Sequence, residues 1–180
     1  PESTSEQELT SVNSSYAARC GQVLHTDIKN FFKNNQVTNN SIEFHQFLTF
    51  VNDHTHLQPY FVETPIYTPF LKLRGRVDMV YIDENEQFWL YDWKRSKGIH
   101  HTLQFPTQDI STIEYSFMNS YVLQLNFYRI ILESEYDMKI VKMILACFHP
   151  SLESYKLIEV SRLSSSIERD LVDFRLSQLH

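Results

Sequence analysis

The first part of the chain has the apolar spacing of two amphipathic helices. Apolar residues recur every three or four positions over 15–33, which is the period of one buried helix face. The side chains predicted to form that face are Val23, Leu24, Ile28, Phe31 and Phe32. A second helix is predicted from Asn40, because Asn40 with Glu43 three residues later fits a capping box. Its predicted buried face is Phe44, Phe47, Leu48 and Val51.

The middle of the chain changes to strand-forming residues. Segments 60–67, 70–82 and 87–93 are rich in Tyr, Phe, Val and Ile, and a polar Asp-Glu-Asn-Glu turn separates the last two. These segments predict a β-meander. Residues 100–112 show no periodicity and predict a long loop, and loops of this length in compact domains are often functional.

The second half predicts another helix, two strands and a closing helix. The helix is expected over about 113–134, and its predicted apolar stripe is Leu123, Phe127, Ile130 and Ile131. "KIVKMILACFHP" and "SYKLIEV" read as strands, and "SSIERDLVDFRLSQL" reads as a helix that starts at a serine cap. The predicted order is ααβββαββα, which is an α/β arrangement in one domain.

Composition and charge limit the classes of protein that fit this pattern. A chain of 180 residues with 42% hydrophobic content has the size of one packed domain, assigned here to 15–180. Residues 1–14 are expected to be a flexible lead-in to a domain that belongs to a larger protein. The net charge of −6 argues against holding nucleic acid by overall charge. The two cysteines are far apart in sequence, which favours thiols in a reducing, intracellular compartment, and no apolar run has the length of a membrane span.

The stretch "RGRVDMVYIDENEQFWLYDWKRSK" carries the strongest chemical signal. Because side chains alternate along a strand, Asp92 and Lys94 project from one face while Trp93 projects from the other. The hairpin can bring Asp78 beside Asp92, where two carboxylates repel unless a proton or a cation lies between them. Mg²⁺ or Mn²⁺ suits such oxygen ligands, and a nearby ammonium can orient a water for attack on a phosphodiester. An exposed Asp-x-Lys also occurs as a simple solvated pair, worth less than about 1 kcal/mol.

Two further residues are candidates for the same site. Glu63 lies within a run of strand-formers, where its carboxylate could face the hairpin as another metal ligand or be an ordinary surface group. Gly21 and His25 are one helical turn apart, so a small residue could let the helix approach a neighbour while His25 reaches the metal or the phosphate. A single helix histidine is also common as a packed or surface residue.

Other residues suit contact with a nucleic acid. Gln124 and Tyr128 are four residues apart on the long helix, and an amide beside a phenol can hydrogen-bond a backbone and stack on a base, although solvent exposure explains the pair equally well. Arg95 and Lys97 form a small basic patch directly after Lys94. A local patch of this kind, in an acidic chain, favours single-stranded DNA or a DNA end over broad duplex binding.

Five segments in order, "GQVLH", "VETPI", "GRVDMVYI", "LYDWKRSK" and "QLNFY", resemble the PD-(D/E)xK nuclease superfamily in its RecB-like exonuclease branch. The resemblance covers about 21–150 and implies a restriction-endonuclease-like core, with a mixed sheet of about five strands flanked by helices. It also implies a metal-dependent DNA exonuclease of replication, recombination or repair. Val77 stands where the family name has proline, which is usual in this branch.

The resemblance assigns roles to the candidate residues. It implies that Asp78 and Asp92 bind the metal with the backbone carbonyl of Trp93, and that Lys94 positions the attacking water. His25 would be a metal ligand or phosphate contact, and Glu63 an auxiliary acid. Gln124 and Tyr128 would hold the strand. Family branches with an iron–sulfur cluster use four cysteines, so this chain is expected to have no cluster.

Two alternatives use the same residues differently. A cap-snatching type RNA endonuclease of viral polymerases also combines a helix histidine, acidic metal ligands and a lysine. The helix that follows Lys94 in the sequence carries Gln124 and Tyr128, and this favours the RecB-like interpretation over the RNA endonuclease. The second alternative is an inactive nuclease fold that only binds nucleic acid or protein, and it is disfavoured because each expected catalytic residue is present.

Overall fold

Within the described residues, nine elements follow the predicted order. A computed structural model describes residues 2–97 and 117–179, and the side chains of 15–97 and 120–179. The elements are α1 (Glu2–Phe32), α2 (Ile42–Asp53), β1 (Gln58–Thr68), β2 (Leu73–Ile82), β3 (Phe88–Arg95), α3 (Phe117–Glu135), β4 (Ile140–Phe148), β5 (Lys156–Glu159) and α4 (Ser165–Ser177). The predicted order ααβββαββα is confirmed.

The helix starts differ from the predicted ones. Helix α1 already begins at Glu2, well before the predicted start at 15. The cap of α2 is Ser41 and not Asn40, because the Ser41 hydroxyl accepts a hydrogen bond from the Phe44 amide at 3.2 Å. A serine cap begins α4 as predicted, with Ser164 as the capping residue. The predicted start of the long helix at 113 and the loop over 100–112 lie outside the described residues.

The five strands form one sheet in the order β1-β2-β3-β4-β5. Strand β1 pairs antiparallel with β2, and β2 pairs antiparallel with β3. Strands β3 and β4 are neighbours joined through α3, the kind of crossover connection that links parallel strands. The fold is therefore α/β with a mixed sheet and flanking helices, which confirms the predicted restriction-endonuclease-like core.

The β2–β3 turn is closed by one carboxylate. Asp83 accepts hydrogen bonds from the backbone amides of Gln87 and Asn85, each at 2.9 Å, and from the Trp89 indole at 3.1 Å. These donors, the Gln87 amide first, lower the pKa of Asp83 because they stabilise its charged form. The turn thereby sets the register of the two strands that carry the candidate carboxylates.

The described residues divide into two compact units. The first comprises 2–54, 93–97 and 147–156, and the second comprises 55–92, 117–146 and 157–179. The core of the first unit is aromatic: Phe47 makes edge-to-face contacts with Trp93 and Phe148, each with a centroid separation of 6.0 Å. These rings have no exposed surface. They anchor the end of β3 to α2.

The core of the second unit includes polar residues of α3. Asn126 is 1% exposed, and its amide donates to the Ser161 carbonyl while its oxygen accepts from the Leu163 amide. Arg129 is 3% exposed and forms ion pairs with Glu133 and Glu168. Burial, as the largest cause, lowers the pKa of Arg129. These partners make it possible to bury a helix face that contains an amide and a guanidinium.

Several predicted core faces are therefore wrong in detail. The buried apolar residues of α3 are Val122, Leu125, Ile131 and Leu132, whereas the predicted Leu123, Phe127 and Ile130 are only half-buried. On α1, Val23 is 47% exposed, while Leu24 and Ile28 are buried as predicted. On α2, Phe50 is buried, and the predicted Leu48 and Val51 are half-buried. Within the described residues, no helix combines the length and the hydropathy that crossing a membrane requires.

Candidate functional site

Two candidate carboxylates meet on neighbouring strands of the second unit. The residues on either side of Glu63 in β1 pair with those on either side of Asp78 in β2, so Glu63 lies opposite Asp78. One oxygen of each carboxylate lies within 4.8 Å of the other. The backbone of Glu63 is left-handed, with φ 48°, which is uncommon for a residue other than glycine and concentrated at functional sites.

Asp92 continues this row of acids on β3. The β2–β3 register pairs Met79 with Tyr91, and the next residue along each strand is Asp78 on β2 and Asp92 on β3. Directly opposite residues of an antiparallel pair project from the same sheet face. Asp92 is 4% exposed, and Glu63 and Asp78 are half-buried. By strand position, Glu63, Asp78 and Asp92 form a row across β1, β2 and β3. The donor atoms that lie within 4.8 Å of one another include those of Glu63 and Asp78 but not that of Asp92.

Lys94 and Trp93 project from opposite faces of β3, because side chains alternate along a strand. Asp92 and Lys94 project from one face of β3, whereas Trp93 projects from the other. The Trp93 ring packs against Phe50 at a centroid separation of 5.6 Å and has no exposed surface. A fully buried indole on the opposite face fixes the strand, and therefore the direction in which its two flanking side chains project.

His25 contacts the backbone of the same strand within the first unit. Its Nε2 atom lies 2.9 Å from the carbonyl oxygen of Trp93. Leu24 and Ile28 on the same helix are each 2% exposed and hold α1 in place. A Cβ atom added at Gly21 would lie 3.9 Å from the Arg95 Cβ, an ordinary contact. A methyl group would therefore fit at position 21, so the close approach of α1 to β3 does not require a glycine there.

The donor atoms fit a hard divalent cation. Glu63 and Asp78 each offer a carboxylate oxygen, and these two atoms lie within 4.8 Å of one another. Carboxylate oxygens are ligands that suit Mg²⁺ or Mn²⁺. The carboxylates of the second unit therefore fit the kind of metal ion that the sequence predicts.

Gln124 and Tyr128 lie on one face of α3, as predicted. The Gln124 amide donates a hydrogen bond to the Tyr128 hydroxyl at 3.0 Å. The Tyr128 ring occupies space above Gly75 of β2, where an added Cβ atom would come within 2.4 Å of the ring carbon Cε1. Gly75 precedes Asp78 by three residues on the same strand. This glycine therefore lets the phenol pack closely against β2, on the sheet face opposite to Asp78.

Arg95 has a partner that the sequence did not indicate. Its Nε atom donates to the Glu43 carboxylate at 2.6 Å, and the two side chains are only 13% and 9% exposed. Arg95 projects from the face of β3 opposite to Lys94, on the side of α2. Lys97 is exposed. Contact of Arg95 and Lys97 with nucleic acid stays a prediction.

A further cation near the acids was also missed. The Nη1 atom of Arg76 lies 3.9 Å from the Glu63 Oε2 atom, and the Arg76 side chain is 57% exposed. The available signal was the alternation of Arg74 and Arg76 with Asp78 in "RGRVD", which places all three on one strand face.

Comparison with known proteins gives a family and distant structural neighbours. The model of the PD-(D/E)XK nuclease superfamily matches residues 33–172, a range that contains the three carboxylates and Lys94 but not His25. A repair endonuclease from Pyrococcus abyssi is similar at 16% identity and a TM-score of 0.36, over 77% of this chain and 45% of that chain. The structure of SSO0001 is similar at 17% identity and a TM-score of 0.41, over 98% of this chain and 68% of that one.

The present chain thus spans less than half the length of the Pyrococcus abyssi chain. No curated protein matches the chain. The family match extends from the end of α1 into α4, which is more than half of the sequence. This chain belongs to the PD-(D/E)XK nuclease superfamily.

Proposed function

We propose that this chain hydrolyses phosphodiester bonds in a reaction that depends on Mg²⁺ or Mn²⁺. The observation that carries the proposal is the β1–β2 register, in which Glu63 lies opposite Asp78. Strand position relates Asp92 to Asp78, and strand alternation gives Lys94 the same face as Asp92. Family membership supplies the substrate class, since a nuclease acts on nucleic acid. The geometry supports the choice of residues in this proposal.

Each residue of the row has a distinct task in this proposal. Asp78 and Asp92 hold the metal with the Trp93 carbonyl, and Glu63 adds an auxiliary oxygen. A bound divalent ion lowers the pKa of a coordinated water and polarises a phosphoryl oxygen. Lys94 orients the attacking water and stabilises negative charge as it develops on the phosphate.

His25 and the α3 pair have further roles in the proposal. The 2.9 Å contact of His25 with the Trp93 carbonyl allows the imidazole either to hold that carbonyl in place or to bind the same cation. Gln124 orients the Tyr128 hydroxyl through their 3.0 Å hydrogen bond, which leaves the phenol able to contact a nucleic-acid strand. The His25 contact lies within the first compact unit, and the Gln124–Tyr128 hydrogen bond lies within the second.

The finer part of the proposal concerns the substrate. We propose a RecB-like, end-directed exonuclease of single-stranded DNA or DNA ends, acting inside the cell in replication, recombination or repair. The five ordered sequence segments support that branch, and Lys97 supplies a local positive charge in an acidic chain. RNA cleavage is the competing outcome of the test below.

The first experiment tests the metal site. Asp78→Asn and Asp92→Asn should each abolish cleavage and weaken Mn²⁺ binding in a calorimetric titration, while Lys94→Ala should abolish cleavage and leave Mn²⁺ binding intact. Asp170→Asn, on the exposed surface of α4, is the matched control and should behave as the unchanged protein. Full cleavage by the Lys94→Ala protein would refute the assignment.

The second experiment tests the substrate. End-labelled linear DNA, circular single-stranded DNA and RNA of equal length are digested in Mn²⁺. Loss of label from linear DNA with intact circles is expected. Cutting of circles would show internal cleavage, and preferred cutting of RNA would support the RNA endonuclease alternative.

A further inference from the structure

The outer face of the β1–β2 hairpin carries a ladder of residues that leads to the acids. In the β1–β2 register, Tyr67 pairs with Arg74 and Pro65 pairs with Arg76, and the next row in the same direction is Glu63 with Asp78. Opposite residues share a sheet face, and rows two residues apart along a strand return to that face. Tyr67, Arg74, Pro65 and Arg76 are all exposed.

The opposite face of the same hairpin is packed, so the exposed rows are a true outer surface. Ile66 is 1% exposed and pairs with Gly75, which lies under the Tyr128 ring. Val77 has no exposed surface, and Thr68 is 2% exposed and donates a hydrogen bond to Glu135. Packing thus fixes the hairpin from behind, and the side chains of the outer rows remain available to a ligand.

Positive charge is concentrated on this hairpin although the chain is acidic overall. Lys72, Arg74 and Arg76 occur within five residues that contain no acid, in a chain with a net charge of −6. Arg175 of α4 adds a fourth cation at the turn, since it donates to the carbonyls of Leu71 and Lys72 at 3.0 and 3.2 Å. A local cluster of this kind attracts an anionic chain that the rest of the surface would repel.

We propose that this outer face is a track for single-stranded nucleic acid that enters the site along β2. The proposal rests on the function proposed above and names the residues that hold the strand outside the row of acids. Arg76 and Arg74 bind the phosphates that follow the scissile one, and Tyr67 stacks on an unpaired base.

The spacing of the rows fits an extended nucleic-acid strand better than a compact ligand. Successive rows on one face of a β-strand are roughly 6 to 7 Å apart. That distance is comparable with the separation of neighbouring phosphates in an extended nucleic-acid strand. The 3.9 Å approach of Arg76 to Glu63 places the first cation directly beside the acids, which is the position of the phosphate adjacent to the scissile bond. An exposed aromatic ring beside Arg74 then offers the stacking surface that unpaired bases use.

Binding can be measured apart from cleavage. In the Asp92→Asn protein, fluorescence anisotropy with a labelled oligo(dT) is recorded over a series of salt concentrations. Arg74→Gln and Arg76→Gln are each expected to weaken binding by about three- to tenfold and to reduce the slope of log K against log salt by about 0.7. Tyr67→Ala should weaken binding by about fivefold or more without changing that slope.

Matched substitutions elsewhere control for net charge and for lost aromatic surface. Arg169→Gln, on the exposed surface of α4, changes the charge equally and should leave affinity and slope unchanged, and so should Tyr16→Ala, whose ring is 66% exposed on α1. Equal effects of Arg169→Gln and Arg76→Gln on binding would overturn the track, as would tighter binding of a blunt duplex than of oligo(dT).

The track and the proposed function can fail separately. If the unchanged protein cleaves DNA but the three track variants bind oligo(dT) normally, the track alone fails. If it binds through the track but cleaves nothing, the proposed function alone fails.

Discussion

Two glycines are expected to respond in opposite ways to the same added methyl group. At Gly75 the new Cβ atom would lie 2.4 Å from Cε1 and 3.1 Å from Cδ1 and Cζ of Tyr128. At Gly21 the closest neighbour would be the Arg95 Cβ at 3.9 Å, an ordinary contact. Comparing Gly75→Ala with Gly21→Ala therefore isolates steric overlap from the general effect of replacing glycine.

The cost at Gly75 follows from how little its surroundings can move. Carbon atoms in contact lie about 3.5 to 4.0 Å apart, so the ring and the strand must separate by more than about 1 Å. Gly75 is paired with Ile66 of β1, which is only 1% exposed, so β2 is held beside a packed strand and cannot easily move away from the ring. Overpacking of this kind costs about 1–3 kcal/mol. Alanine at position 21 should instead stabilise α1 by about 0.5–1 kcal/mol, because it lowers the backbone entropy lost on folding.

Urea unfolding of five proteins measures both effects and the coupling. The free energy of unfolding is determined for the unchanged protein, Gly21→Ala, Gly75→Ala, Tyr128→Ala and the variant that combines the last two changes. Removing the ring should relieve the overlap, so Gly75→Ala should cost about 1–3 kcal/mol with Tyr128 present and close to nothing without it. An equal cost in both backgrounds would refute the reasoning, as would destabilisation by Gly21→Ala of the same size.

Three other substitutions or conditions test separate parts of the structure. Glu43→Leu should destabilise by about 3 kcal/mol in urea unfolding because it leaves the buried Arg95 guanidinium without its carboxylate, and Glu43→Leu with Arg95→Met should recover much of the loss. Phe50→Ala should cost about 3–5 kcal/mol, since the ring has no exposed surface; a loss below about 1 kcal/mol would contradict the described core. Burial first, and then the charge of Arg95, lower the pKa of His149. The unfolded chain therefore takes up this proton first, so the contribution to stability is complete above about pH 6.5 and is lost as the pH falls further. His149→Asn should flatten that part of the melting-temperature profile, and an unchanged profile would contradict it.

The order of elements could be predicted because local signals and tertiary structure agree over most of the chain. Strands β2 and β3 have strand-forming residues on both sides of a polar turn, and Asp83 closes that turn with hydrogen bonds inside the turn itself. The serine at the start of α4 caps its own helix within three residues. Signals of this kind need no knowledge of distant contacts, and sequence reasoning identifies them well.

The buried face of α3 could not be predicted, because its partners are far away in sequence. Asn126 is satisfied by Ser161 and Leu163, and Arg129 by Glu168. Without these partners, an amide and a guanidinium are expected to face solvent. The predicted apolar stripe is therefore correct at Ile131 but misses the buried Val122, Leu125 and Leu132. The same holds for Arg95, whose carboxylate partner Glu43 is 52 residues earlier in the chain.

The residues of the candidate site could be predicted from the sequence, but their arrangement in space could not. Asp78, Asp92 and Lys94 could be selected from their spacing and from the resemblance to a nuclease family. The position of Glu63 opposite Asp78 depends on the β1–β2 register and on a left-handed backbone at Glu63. Neither property is encoded in the local pattern, since a glutamate in a run of strand-formers is expected to be extended.

The placement of the acids on strands, and not on loops, has a physical consequence for their mutual repulsion. Tyr91 and Trp93, the neighbours of Asp92 in sequence, are 1% and 0% exposed and project into the opposite face. Burial of these two rings resists any shift of β3, so repulsion between Asp78 and Asp92 cannot be relieved by moving the strands apart without exposing aromatic surface. A rigid row of carboxylates keeps its attraction for a cation, whereas a mobile row would separate. Replacing Trp93 with a smaller apolar residue should therefore weaken Mn²⁺ binding even though the carboxylates remain, which a titration of the folded variant would show.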